Sequence, residues 1–138
     1  MIKENYRGMI NLFISFVISF VFNLNTILYG NAQIVGALAS VLYIFSWLYW
    51  AMVCESKREK IFLYIWQIIA LLCSIAVMLF LERSEIRNYL FVPSILFLTS
   101  LAGVQYFSFA VPLIQIMLSL FLFAITFSRK MRAKAGQI

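Results

Sequence analysis

A chain of 138 residues, 64% of them hydrophobic and 12% charged, departs far from soluble domains, which run nearer half apolar and about a quarter charged. Its formal charge of +6 comes from Lys and Arg at the ends of apolar runs, where they orient membrane segments; no basic stripe with interleaved aromatics points to nucleic acid. There is no His, and the acids Glu4, Glu55, Glu59, Glu82 and Glu85 sit in termini and loops, which excludes histidine-ligated haem, a His-based nucleophile–base pair, an ordinary zinc site and an intramembrane proton relay.

The chain opens on a short polar stretch carrying Lys3, Glu4 and Arg7. Residues 9–29 form an apolar run long enough to span a bilayer, since ~20 helical residues cover a ~30 Å hydrocarbon core. The run also exceeds the apolar core of a signal peptide, about 7–15 residues, and is read as a retained span. Gly30 and Asn31 make an uncharged turn, and a second span covers 34–54. The cluster Glu55-Ser56-Lys57-Arg58-Glu59-Lys60 separates it from a third span over 61–81. A mixed-charge connection, 82–88, leads into forty residues (89–128) without a charge, broken by Pro93, Gly103, Gln105 and Pro112.

As one helix that stretch would measure ~60 Å, twice the membrane core. The basic residues decide how it folds back. With four crossings and the N-terminus inside, nine Lys and Arg lie on the inner side and two, Arg83 and Arg87, on the outer. Five crossings from the same start divide them five to six, so the positive-inside rule favours four. The last crossing then covers 106–128, and residues 89–104 remain on the outer side, with Pro93 in the first turn of that piece. The expected fold is an all-α membrane protein: a four-crossing transmembrane helix bundle with an additional apolar re-entrant or interfacial helix on the outer side. It forms one integral domain over 1–138, with both termini on the cytoplasmic side. Tyr49, Trp50, Tyr64 and Trp66 would form an inner interfacial belt, and Tyr29 and Tyr89 an outer one.

Neutral polar residues recur in stripes. In the first span Asn11, Ser15, Ser19 and Asn23 follow intervals of four, with Thr26 three further on; in the last, Ser108, Pro112, Gln115, Ser119 and Thr126 share a flank. Ala32, Gly36 and Ser40 make a small-residue series in the second span, and Gln67, Ala70 and Ser74 lie on one side of the third. Such stripes serve helix–helix packing, at about 0.6–2 kcal/mol per hydrogen bond, or line a path for an uncharged solute. The candidate polar interface or pathway is therefore Asn11, Ser15, Ser19, Asn23, Gln67, Ser74, Gln105, Ser108, Gln115 and Ser119.

At the C-terminal end Arg129, Lys130, Arg132 and Lys134 are candidate lipid headgroup contacts, or simply a flank that fixes orientation. Cys54 and Cys73 make no disulfide framework; Cys54, at the inner end of its span, is either an acylation site or a plain buried thiol. The chain lacks the first-span glutamate of small multidrug transporters and the paired cysteines of quinone-linked disulfide enzymes. These residues call for no cofactor and no metal. The leading expectation is a non-enzymatic interaction or accessory subunit, oligomeric with itself or bound to another membrane protein. The alternatives are a channel or transporter for a neutral solute, lipid or hydrophobic molecule, and a membrane immunity or regulatory protein. Its partners are the lipid bilayer, a membrane protein and, in the transport reading, a neutral or hydrophobic small molecule, with no nucleic acid.

Overall fold

A computed structural model describes residues 7–54, 56–80, 84–108 and 110–135. Among the described residues the regular structure is all helical, with no strand: α1 (Arg7–Tyr29), α2 (Ile34–Val53), α3 (Lys57–Phe80), α4 (Ser84–Leu98), a 3-10 helix (Thr99–Phe107) and α5 (Val111–Ala135). Four helices, α1, α2, α3 and α5, are long and apolar enough to cross a membrane. Their outward faces carry large apolar side chains, Phe13, Phe45, Leu72 and Phe127 among them, each more than half exposed. Four such helices with apolar outward faces suggest a multi-pass membrane protein, in which hydrocarbon would meet those faces.

The helix ends follow local chemistry. Gly30 closes α1 in the left-handed region (φ 72°), its N–H donating to the Thr26 carbonyl at 2.9 Å, a conformation that costs glycine nothing. Helix α3 begins at Lys57, four residues before the expected 61. The Ser56 carbonyl accepts from the Lys60 N–H at 3.1 Å, and Glu59 in the first turn complements the helix dipole. Helix α5 starts at Val111 and not at 106, with Pro112 in its first turn, where the missing N–H breaks no bond. It continues to Ala135 because Arg129, Lys130 and Arg132 favour the negative end of a helix.

Two side-chain contacts fix how the helices run. Arg129 of α5 donates to the Ala51 and Cys54 carbonyls, at 3.0 and 3.2 Å, so α5 and α2 end together. Gly8 of α1 lies against the Trp50 indole, which brings the α1 N-terminus and the adjoining α3 N-terminus to that same end. Lys57, Arg58, Lys60, Arg129, Lys130 and Arg132 thus gather at one basic end of the bundle.

Residues 89–104 are not one helix. Helix α4 runs back along α3, since Ser94 hydrogen-bonds Cys73 and Phe97 packs edge-on against Trp66 with ring centroids 5.0 Å apart. It ends at Leu98, and the 3-10 arm returns antiparallel to α2, placing Ser100 on Ser40 and Gly103 on Gly36. The pair is a helical hairpin whose tip, Leu98 to Ser100, reaches the middle of the bundle. Pro93 lies inside α4 and not in its first turn.

The nine residues of the returning arm make a long 3-10 run, since lengths beyond about 3–4 are uncommon. A 3-10 helix is narrower than an α-helix and aligns side chains three apart, so Ser100 and Gly103 meet the α1–α2 groove together. Thr99 to Val104 are buried there. Toward the basic end the interior is aromatic: Tyr43, Trp47 and Trp50 of α2 are each at most 2% exposed, and Trp47 and Phe16 both meet Trp66. Trp50 is therefore core and not interfacial belt, because Gly8 admits α1 directly onto its ring; Tyr49, Tyr29 and Tyr89 are exposed.

Candidate functional site: a polar clasp on the hairpin

The tip of the hairpin is held by one carbonyl. Ser19 of α1 and Ser40 of α2 both donate to the Ser100 carbonyl, Ser40 at 3.0 Å. Asn23 supplies the other half: its Nδ2 donates to Ser40 Oγ at 2.9 Å, to Ser19 Oγ at 3.1 Å and, more weakly, toward the Ser100 carbonyl at 3.4 Å. The direction of these bonds is consistent. Both hydroxyl protons go to Ser100, leaving the hydroxyl lone pairs to accept from the Asn23 amide. A polar group withdrawn from water costs several kcal/mol unless it is bonded, and this arrangement satisfies two hydroxyls and one backbone carbonyl at once.

Three polar atoms beside it have no hydrogen-bond partner: Asn23 Oδ1, Thr99 Oγ1 and Ser100 Oγ. Asn23 Oδ1 points at Gly36, where an added Cβ would collide with it. Gly36 in turn receives Gly103, whose hypothetical Cβ would overlap the Gly36 carbonyl and lie 2.6 Å from the Ala37 nitrogen. Two glycines therefore let three chain segments converge on Asn23.

A second cluster joins α3 to α5. Gln115 Nε2 donates to Gln67 Oε1 at 3.0 Å and to Ser119 Oγ at 3.0 Å, and Ser119 Oγ donates to Gln67 Oε1 at 2.8 Å. All three residues are at most 2% exposed. The triangle is closed within the chain.

The residues expected from sequence divide clearly. Ser15, Ser19, Asn23, Gln67, Ser74, Gln115 and Ser119 are buried, with Ser15 and Ser74 bonded to their own helices through the Leu12 and Ala70 carbonyls. Asn11 is exposed, because an interval of four residues overshoots a turn by about 40°, and three intervals swing it well away from Asn23. Gln105 and Ser108 are exposed at the end of the returning arm away from the hairpin tip, Ser108 in the left-handed region at φ 63°. Lys130 and Arg132 are exposed, Arg129 is turned in to the α2 carbonyls, and the side chain of Lys134 lies outside the described residues. Cys54 is a free cysteine, 2% exposed, with Arg129 bonded to its carbonyl. Sequence reasoning passed over Ser40, Thr99 and Ser100 as site residues; the Gly36–Ser40 and Ser100–Gly103 spacings were the available signals.

Chemically, the clasp consists of hydroxyls, amides and a carbonyl, groups that hold and orient and do not titrate near neutral pH. The fold is thus a bundle of four spanning-length helices closed around an internal hairpin. No protein family, curated protein or solved structure matches it.

Proposed function

We propose that this chain is a four-crossing integral membrane protein, with the Lys/Arg-rich end of the bundle in the cytoplasm and the hairpin entering from the opposite side as a re-entrant element. It acts without catalysis, as an interaction or accessory subunit that assembles with itself or with another membrane protein. One buried polar cluster fastens its own hairpin and a second ties α3 to α5, and its partners meet the exposed apolar faces of the long helices.

One observation carries this reading: buried side-chain amides and hydroxyls bond to one another in two clusters within the chain, and Trp50, Leu63 and Leu122 pack in the core toward the basic end. A non-helical backbone at membrane depth persists only where protein or a watery cavity surrounds it. Here Thr99 to Val104 of the 3-10 arm are buried against α1 and α2, which supports a structural hairpin over a pore. The experiment is extraction in mild detergent followed by native mass spectrometry. An assembly of several copies, or a stoichiometric membrane partner, is the expected result; a stable lone chain with no partner refutes it. Threading is tested by impermeant labelling of single cysteines at Ser56, Ser84 and Gln137 in a C54S, C73S background, with only the Ser84 position reacting from outside.

A second reading, a carrier for a hydrophobic molecule, is favoured by a cleft of about 220 Å³ between α1, α2 and α3 whose lining is wholly apolar. Proteoliposomes containing the protein would then accelerate movement of a lipid probe, and unchanged rates would dismiss it.

A further inference from the structure

The cleft has a shape and a setting that identify an occupant. Leu12, Phe13 and Phe16 of α1 face Trp47 of α2 and Phe62 and Trp66 of α3 across it. At about 220 Å³ it exceeds the ~150 Å³ of an apolar cavity that holds benzene and falls below the ~300–1,000 Å³ of drug-sized pockets. A partner helix, ~10 Å across with its side chains, cannot enter it. A stretch of hydrocarbon chain can.

Basic residues lie just beyond its α3 wall. Arg58, Phe62 and Trp66 recur at intervals of four and so form one stripe along α3, with exposed Arg58 one turn beyond Phe62 toward the basic end. Lys57 beside it is exposed as well. Glu59 also precedes Phe62, by three residues, and would repel an anion there. It lies with Lys60 and Arg129 around Cys54, where two cations face one carboxylate. Lys57 and Arg58 are thus the exposed cations within about a turn of the cleft's Phe62.

We infer that the cleft between α1, α2 and α3 holds one acyl chain of an anionic phospholipid of the cytoplasmic leaflet, with the phosphate on Arg58. The inference rests on the membrane placement proposed above, and it adds a specific lipid site to an interaction protein. An acyl chain fills the recess that the aromatic side chains leave, and the guanidinium meets the phosphate in the forked geometry it favours.

The full chain is reconstituted in nanodiscs with phosphatidylglycerol or phosphatidylcholine carrying the same diazirine-labelled acyl chain. Alkaline extraction of the host membranes comes first: release of the chain overturns the membrane placement and this site with it. With the chain retained, photolabel is expected in Met9–Phe16 and Phe62–Trp66, about fivefold stronger with phosphatidylglycerol. R58Q is expected to abolish that preference while leaving the labelled positions unchanged, and L12F, which fills the recess, to lower labelling by both lipids. Label spread evenly over outward residues such as Phe45 and Leu72, or equal labelling by the two lipids in the wild type, overturns the lipid site alone. The wild-type map decides the matter even where L12F fails to fold.

Discussion

Gly103 lies against the Gly36 carbonyl so closely that a methyl group at Gly103 would overlap it, and Gly36 has no room for one either because Asn23 Oδ1 faces it. This contact seats the returning arm of the hairpin in the α1–α2 groove and brings Ser100 to Ser19, Ser40 and Asn23. Close approach of backbones through small residues is the usual way helices associate where lipid supplies no hydrophobic drive.

Gly103→Ala is therefore expected to lower stability by about 1–3 kcal/mol, the range for forcing extra volume into a packed interior. The comparison is Gly30→Ala. That site has open space around it but a φ of 72°, so its cost is confined to the ~1–2 kcal/mol of a left-handed non-glycine residue. Thermal unfolding in detergent reads both. Protease sensitivity of the hairpin separates them, rising in Gly103→Ala and unchanged in Gly30→Ala.

Asn23 and Ser40 are expected to be coupled. A double-mutant cycle with Asn23→Ala and Ser40→Ala should give an interaction energy of about 0.6–1.7 kcal/mol, as for hydrogen bonds between membrane helices. Additive losses would mean that the Asn23–Ser40 bond at 2.9 Å contributes nothing.

For the second cluster, removing one partner should be worse than removing all. Gln115→Leu takes away the Nε2 donor to Gln67 and leaves Gln67 with less of its bonding at a site 1% exposed, a loss of about 1–3 kcal/mol. The triple variant Gln67→Leu, Gln115→Leu, Ser119→Ala should recover much of it, because no polar group in that cluster then lacks a partner. A triple variant less stable than Gln115→Leu would contradict the closed triangle.

Arg129→Gln should loosen the α2 C-terminus and uncover Cys54. The guanidinium donates to two carbonyls, bonds worth about 1.5–3 kcal/mol when the donor is charged. In the wild type Cys54 is 2% exposed and should react with maleimide far more slowly than a surface thiol. Faster labelling of Cys54 in Arg129→Gln, measured in a Cys73→Ser background, is the expected outcome; an unchanged rate would show that Arg129 does not cover it.

Much of the architecture is legible because it depends on length and polarity alone. Uninterrupted apolar runs mark α1 and α2 to within two residues at either end, and the stripe through Ser19 and Asn23 correctly marks an inward flank. Asn11 belongs to the same arithmetic series yet faces outward, since helical rotation accumulates over twelve residues. The break at Leu98 was hidden. Thr99 to Phe107 has no distinctive period, and Pro93, the obvious breaker, is accommodated within α4.

By itself the amino-acid order pointed to an all-helical chain: apolar runs of about twenty residues with charges confined to their ends suit long helices, which satisfy their own backbones. It also determined which faces carry hydroxyls and amides. Only the tertiary structure decided where those groups are used. Ser19, Asn23 and Ser40 would serve equally well against a second copy of the chain. They turn inward because the 3-10 arm, narrow and glycine-bearing, presents the Ser100 carbonyl to all three. That choice depends on contacts between residues up to 81 positions apart, which no local spacing encodes.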